Sequence, residues 1–214
     1  SGGGGPLGYV AVACIVLTLV FSTWGVLGGT WLVADDDDAD AYTDLTHGYY
    51  SQDVSSLTDG MYDDCQEFLD DAEEQGEDDL EDATCDGKNI VMALSYSEIC
   101  DETEDEEACE VASAGLWGTI ILWVAVAAGL GATLLIIFNT FGIDALPVNT
   151  QQFGMITGIA AGALAGIGVL IWYILLPSDT DGMNAGLNVW LTIVGAVTGI
   201  AGGVLTKTHG NPSL

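Results

Sequence analysis

The sequence predicts an all-α membrane protein: a four-helix transmembrane bundle with a small, mainly helical, disulfide-bonded acidic extracellular domain between helices 1 and 2. Two observations about composition lead to this prediction. Half of the 214 residues are hydrophobic and the mean hydropathy is +0.41, yet 32 Asp and Glu against 2 Lys and Arg give a net charge of −30. The high hydrophobic fraction and the large negative charge are compatible because they lie in different parts of the chain: 29 of the 32 acids lie between residues 35 and 110. A nucleic-acid-binding protein would need a basic face, so that class is excluded.

A helix needs about 20 apolar residues to cross a bilayer, and four charge-free stretches of this chain meet that requirement. Three loops and a tail connect or follow them. The predicted organisation is a glycine-rich leader and first span at 1–34, the acidic extracellular domain at 35–112, the second span at 113–138, a cytoplasmic loop at 139–152, the third span at 153–176, a short outer loop at 177–186, the fourth span at 187–206 and a cytoplasmic tail at 207–214.

The orientation follows from the basic residues, which are only Lys88 and Lys207. Lys207 comes directly after the fourth span, and positive charge favours the cytoplasmic side. Four spans then place both termini inside and residues 35–112 outside. The chain is therefore predicted to be a multi-pass protein of a cell membrane or a virion membrane.

Glycines recur every fourth residue in the last two spans, which gives each helix one smooth face. Such faces allow close backbone approach in lipid, so we expect spans three and four to pack on each other through them. One of the faces could instead mediate oligomerisation, and Gly is in any case frequent in membrane helices. The predicted helix-packing residues are Gly154, Gly158, Gly162, Gly166, Gly195, Gly199 and Gly203.

The spans contain no Asp, Glu, Lys, Arg or His. Ionisable residues inside a membrane usually mark proton relays and ion paths, so a pump or secondary transporter is disfavoured. The polar groups in the spans are mainly Ser and Thr, whose hydroxyls can bond to a carbonyl of their own helix. A passive pore built from several copies stays open as an alternative.

Within the acidic domain, apolar residues at helical spacing predict a helix over 57–72, with Met61, Cys65 and Phe68 on one face. Residues 41–56 show no strong period. Residues 89–99 fit a strand or a short helix, and the helix is favoured. Residues 101–111 are helix-prone and could continue into the second span.

Cysteine usage indicates the compartment. An even four in a small acidic domain predicts two disulfides, which form in an oxidising exterior. These residues are Cys65, Cys85, Cys100 and Cys109. Three pairings are possible, and sequence order suggests 65–85 with 100–109. A zinc site is disfavoured because no pair has CxxC spacing and His47 is the only histidine in the region. Cys14 in the first span is expected to be a small apolar residue.

The acids also raise the question of calcium. An EF-hand loop beginning at Asp36 would need Gly and Glu where Ala41 and His47 stand, so the match fails. We predict no metal site and no cofactor, although loose binding of divalent cations or potassium stays an alternative. With 29 acids and one lysine in this block, self-repulsion should be severe at low salt, and molar salt would relieve it.

The near absence of Lys and Arg, with acidic runs at 35–38 and 101–107, resembles proteins of extremely halophilic archaea or of viruses that infect them. The layout of four spans with a cysteine-bearing first outer loop is similar to the claudin-type tetraspan plan. In claudins Gly-Leu-Trp precedes two loop cysteines, whereas here Gly115-Leu116-Trp117 follows all four. The likeness therefore extends to topology alone.

No phosphate-binding loop, GxSxG elbow or HExxH motif occurs, and the histidines are only His47 and His209. We therefore predict no catalytic residues and a non-enzymatic, structural or interaction protein of a halophilic envelope or virion, which presents its acidic ectodomain to a partner. The expected partners are the lipid bilayer and another envelope or virion protein, or further copies of the chain. The alternative is a small oligomeric channel, or an accessory subunit of a channel or transporter, with a cation-attracting outer vestibule.

Overall fold

A computed structural model describes residues 6–35, 39–75, 80, 83–103, 105–141, 149–177 and 183–208. The chain forms two compact units. The helical unit comprises Ser1–Gly28, Ala114–Ile174 and Leu187–Leu214, and the sheet unit comprises Gly29–Ser113 and Leu175–Gly186.

Four helices are long and apolar enough to cross a membrane, which makes the chain a multi-pass membrane protein. They are α1 (Pro6–Leu27), α5 (Glu106–Phe141), α6 (Thr150–Leu175) and α7 (Leu187–Thr208). Most of their residues are Ala, Gly, Val, Leu and Ile, and their exposed side chains are largely hydrophobic, as expected for surfaces that face lipid.

The helical unit is closed by contacts between successive helices. Ile15 of α1 packs with Ala132 and Ile136 of α5 in a fully buried cluster. Gly168 of α6 lies against Leu122 of α5. The remaining two contacts, between α6 and α7 and between α7 and α1, run along small residues and are described below.

The sheet unit contains a six-stranded sheet of order β4-β5-β3-β2-β1-β6, and all pairs in it are antiparallel. The strands are β1 (Leu32–Asp35), β2 (Ala39–Thr43), β3 (His47–Asp53), β4 (Thr84–Asp86), β5 (Asn89–Ser95) and β6 (Asn184–Ala185). Three helices accompany the sheet: α2 (Val54–Leu57), α3 (Cys65–Gln75) and α4 (Tyr96–Thr103).

Local sequence accounts for two of the turns. Gly87 has φ +65° in the two-residue connection between β4 and β5, a conformation that glycine adopts without strain. Between β2 and β3, the Asp44 carboxylate accepts hydrogen bonds from the backbone N–H groups of Thr46 and His47, at 2.6 and 2.7 Å. Such Asx turns reverse the chain without requiring glycine.

The core of the sheet unit is small. Val54, Cys65 and Ile90 are fully buried, and partly buried side chains of α3 and neighbouring loops, among them Tyr62 and Phe68, pack around them. The cluster joins one face of β5 to α3. Because few aliphatic residues contribute to this core, the unit depends strongly on covalent links for its stability.

The acidic domain contains helices, as expected, but also a six-stranded sheet that the sequence analysis did not predict. Residues 89–95 form the strand β5, and the helix α4 begins only at Tyr96. Alternating side chains of β5 pack towards α3, and this tertiary contact decides between two conformations that the local pattern left open. Residues 41–56, which lack a helical period, supply most of β2 and β3.

Two helix boundaries also differ from expectation. Of the helix predicted over 57–72, only residues 65–72 lie in a long helix, α3, because α2 ends at Leu57 and a turn with positive φ at Asp59 and Gly60 follows it. The first membrane helix ends at Leu27, and the last three residues of the predicted first span, 32–34, form β1 together with Asp35. Their apolar character reflects a place in the sheet unit, where Leu32 is buried.

Candidate interaction surfaces

The four cysteines of the sheet unit form two disulfides, Cys65–Cys85 and Cys100–Cys109, in the pairing that sequence order suggests. Cys65 starts α3 in the core, and Cys85 lies in β4, so this bond fastens the helix to the sheet. The second disulfide joins α4 to the first turns of α5. Cys14 is a free cysteine in α1.

The surface of the sheet unit is strongly acidic. Exposed carboxylates follow the outer sides of α3, α4 and the start of α5. Among the residues that the structure describes, the one ion pair is that between His47 and Asp44, with 3.4 Å from Nδ1 to Oδ2. Lys88 is the only Lys or Arg in the unit. The carboxylates are therefore neutralised by solvent and dissolved cations rather than by basic side chains.

Asp44 organises a group of polar side chains at the β2–β3 turn. Tyr49 donates a hydrogen bond to its Oδ2 at 3.0 Å and stacks on Tyr42 with 4.9 Å between ring centroids. Burial, then the charge of Asp44 and this hydrogen bond, raise the pKa of Tyr49 to about 12. Burial, assisted by Asp44, also raises the pKa of Tyr96. Both phenols therefore stay neutral at any ordinary pH.

Asp53 caps the short helix α2. Its Oδ1 accepts hydrogen bonds from the Ser55 hydroxyl at 2.6 Å and from the Ser55 backbone N–H at 2.8 Å. These bonds hold the pKa of the Asp53 carboxyl below its ordinary value, with a smaller contribution from the charge of Lys88. The cap fixes the point where β3 turns into α2.

Three predicted packing glycines of α6 face α7. A Cβ added at Gly162 would come within 2.5–3.1 Å of backbone atoms of Ala196, Ile200 and Gly199, so any larger side chain would force the helices apart. Gly158 lies against Gly203, at 3.3 Å from its added Cβ to the Gly203 Cα, and Gly166 faces the Ala196 side chain.

The remaining predicted glycines divide between partners. Gly199 and Gly203 of α7 lie against Gly162 and the Ile159 backbone of α6. Gly195 instead faces Phe21 of α1, and Gly154 faces Ile136 of α5. The glycines of α6 and α7 therefore contact α1 and α5 as well as each other.

A polar seam that sequence analysis did not identify runs between α1 and α7. Thr18 bonds to the Cys14 carbonyl in its own helix and lies 3.1 Å from the Thr198 hydroxyl of α7. The buried Thr192 hydroxyl bonds to the Asn188 carbonyl and lies against Gly25. The Ser22 hydroxyl and the Asn188 side-chain nitrogen are buried without a hydrogen-bond partner among the described residues. The available signal was the pair Thr18 and Ser22, one helical turn apart in the first span.

In the described part of the chain, no group of three or more His, Cys, Asp or Glu side chains lies close enough to hold a metal ion. Residues 36–38, with which the calcium-loop comparison began, lie outside the described residues, as does His209. Comparison with protein-family models and with curated protein sequences found no match for this chain.

Proposed function

We propose that this protein is a non-enzymatic structural membrane protein of a halophilic envelope or virion, whose sheet unit is displayed on the outer side to a partner protein. The observation that carries the proposal is that two disulfides and a dense, unpaired acidic surface occur in one and the same unit. Disulfides persist in oxidising compartments, which supports an outer location. Acidic surfaces without basic partners suit concentrated salt, where charge repulsion is screened within about 3 Å at 1 M.

The membrane helices support an anchoring role. Their hydroxyl groups at Thr18, Thr23, Thr133, Thr157 and Thr206 each donate to a carbonyl four residues earlier in the same helix. These polar groups are thereby satisfied locally and need no water-filled path. The sequence of the spans contains no ionisable residue that could relay protons or ions.

The orientation can be tested with a membrane-impermeant maleimide. In a Cys14→Ser background, Thr208→Cys places one reactive thiol at the C-terminal end of α7 and keeps Lys207, from which the orientation is predicted. We expect labelling only after the membrane is permeabilised, since the proposal has this end inside. Labelling of intact cells or particles to the same extent would reverse the orientation and remove the outer location of the sheet unit.

The partner can be tested by native mass determination after mild detergent extraction in about 2–3 M salt, which keeps the acidic surface screened. We expect a second envelope or virion protein at fixed stoichiometry. A homogeneous ring of this chain alone would contradict the proposal and favour a small oligomeric channel, for which ion flux in liposomes is the direct assay.

The proposed requirement for high salt can be tested by thermal unfolding at two salt concentrations. Lowering the salt from about 3 M to about 0.1 M lengthens electrostatic screening from under 3 Å to about 10 Å. We expect the near-ultraviolet signal of the sheet unit to melt at lower temperature in the dilute buffer, while the far-ultraviolet signal of the membrane helices changes little. Equal melting at both salt concentrations would argue against a halophilic protein.

A further inference from the structure

A small open pocket, lined by both apolar and polar side chains, lies on the surface of the acidic sheet unit. It has a volume of about 250 Å³ and is lined by residues of α3 and of the turn that precedes it. These residues are Thr58, Met61, Tyr62, Phe68, Ala72 and Gln75. Pockets for drug-sized ligands usually measure about 300–1,000 Å³, so this one suits a single apolar side chain better than a cofactor.

Contacts with the core of the sheet unit fix the side chains that line the pocket. Tyr62 and Phe68 pack against the buried cluster that contains Cys65, and their rings meet edge to face with 5.4 Å between centroids. The Thr58 hydroxyl donates to the Val54 carbonyl at 2.7 Å and accepts from the Tyr62 backbone N–H at 3.2 Å. The pocket is therefore preformed, which lowers the entropy cost of binding.

Met61 is the unusual member of this surface. The left-handed turn at Asp59 and Gly60 directs it outward, and its side chain is 77% exposed. A thioether side chain is flexible and adapts to apolar partners. Most neighbouring exposed residues are acids, so this methionine stands out as an apolar contact at the edge of the pocket.

Several carboxylates belong to residues that neighbour the pocket lining in the chain or contact it. Asp59, Asp63 and Asp64 are exposed in the adjoining turn. Asp71 lies one helical turn from Phe68, and its Oδ2 accepts a hydrogen bond of 2.7 Å from the Tyr62 hydroxyl. No other hydrogen bond to Asp71 occurs among the described residues, so its second oxygen can accept from a bound cation. An arginine or lysine on a partner would find a charge-assisted contact here.

We propose that this pocket is the partner-binding site of the sheet unit, and that it takes a protein segment with one apolar side chain flanked by arginine or lysine. The inference rests on the proposed function, because it specifies the partner. The apolar side chain enters between Met61 and Phe68, and the basic residues contact Asp71 and the acids of the turn. At molar salt concentrations, opposite charges attract each other strongly only when they are in direct contact. The contact of a basic side chain with Asp71 is therefore the important charge interaction.

The test uses the full chain in lipid nanodiscs and a fluorescein-labelled peptide in which one leucine is flanked on each side by two arginines. Fluorescence anisotropy in about 1 M and about 3 M KCl gives the dissociation constant. We expect Met61→Ser and Asp71→Asn each to weaken binding by about tenfold, since each removes one of the two proposed contacts.

Matched controls lie in the same unit. Leu94 is 52% exposed on β5, and Asp70 lies on the side of α3 away from the pocket. We expect Leu94→Ser and Asp70→Asn to change the dissociation constant by less than about twofold, an amount that corresponds to only about 0.4 kcal/mol. Unchanged melting temperatures would show that the pocket variants are folded.

Several results would overturn the inference. They are equal weakening by the controls, equal binding of a peptide with glutamate in place of arginine, equal binding of a peptide with serine in place of leucine, and absence of measurable peptide binding at either salt concentration. Native mass analysis separates this inference from the proposed function. A partner retained equally by Met61→Ser removes the pocket alone, whereas peptide binding without any co-purifying partner removes the structural role alone.

Discussion

The helical unit and the sheet unit of this protein are held together by different means. In the helical unit, glycines bring backbones into contact, as at Gly162 and Gly199. In the sheet unit, a three-residue buried cluster is reinforced by two disulfides. Lipid offers little hydrophobic drive for helix association, so close packing must supply the attraction. A small domain in water has that drive but too little apolar surface, so covalent links compensate.

The two units also differ in how their polar groups are satisfied. In the helical unit, threonines such as Thr18 and Thr133 bond to carbonyls of their own helix, Thr18 also contacts Thr198 of α7, and the Ser22 hydroxyl is buried without a hydrogen-bond partner among the described residues. The sheet unit leaves its carboxylates to solvent. Each unit is therefore matched to its own surroundings, and a substitution should damage the unit in which it lies far more than the other.

The largest effect is expected from the disulfide of the core. Cys65→Ser with Cys85→Ser opens a link over 20 residues, and chain entropy predicts a loss of about 3.3 kcal/mol in the unfolding free energy. The measurement is denaturant unfolding followed in the near ultraviolet. The helix signal of the membrane spans should stay unchanged.

The second disulfide is the control, since it closes only 9 residues and should contribute about 2.6 kcal/mol. A larger loss for Cys100→Ser with Cys109→Ser than for the first pair would contradict the view that the core bond matters most. Loss of more helix content than α2, α3, α4 and the start of α5 contain would show that the two units are not independent in stability.

The next effect belongs to the glycines. Gly162→Val would drive a side chain into the backbone of α7, and such overpacking costs about 1–3 kcal/mol or more. Unfolding in mixed micelles with increasing SDS measures it. Gly131→Val is the matched control, because a Cβ at that position meets no atom within 4 Å. Equal losses for both variants would mean that the close approach of α6 and α7 does not stabilise the unit.

A smaller effect is expected in the polar seam. Thr18→Val preserves shape and removes the contact with Thr198, and interhelical hydrogen bonds in membranes average about 0.6 kcal/mol. Thr23→Val is the control, since its hydroxyl bonds only to Leu19 of its own helix. A double-mutant cycle with Thr198→Val isolates the pair, and a coupling energy near zero would remove the seam as a stabilising feature.

The smallest effect at neutral pH concerns Tyr49. Its folded pKa of about 12 exceeds the ordinary value near 10, so its contribution to stability is complete below pH 10 and is lost as the pH rises towards 12. Tyr49→Phe should remove one late step from the tyrosinate absorbance titration and leave stability at pH 7 nearly unchanged. Tyr96→Phe should remove a different late step, and loss of a step near pH 10 instead of a late one in Tyr49→Phe would contradict the raised pKa of Tyr49.

Much of the helical unit followed from the sequence because a long charge-free stretch has few alternatives to a membrane helix. The number of candidate spans and the presence of two disulfides are confirmed. The ends of the helices were harder to predict from the sequence. Residues 32–34 are as apolar as the span before them, and only their pairing with β2 and β6 distinguishes strand from helix.

The candidate binding site could be predicted only in part. The apolar residues Met61, Phe68 and Ala72 were recognised as a set, but the left-handed turn before α3 removes Met61 from the helix and places it at the pocket. The seam between α1 and α7 depends on which helices become neighbours, and periodicity within one helix carries no such information.

The sequence by itself determined the separation of an apolar membrane part from an acidic part, because composition alone decides whether a segment is more stable in lipid or in water. It also determined that the acidic part would need disulfides. Only the tertiary structure decided that this part contains a sheet, that β6 from a distant loop completes it, and that a small pocket opens on its acidic surface. The physical reason is that strand pairing and pocket walls join residues far apart in the chain, and their energies appear only when those residues meet.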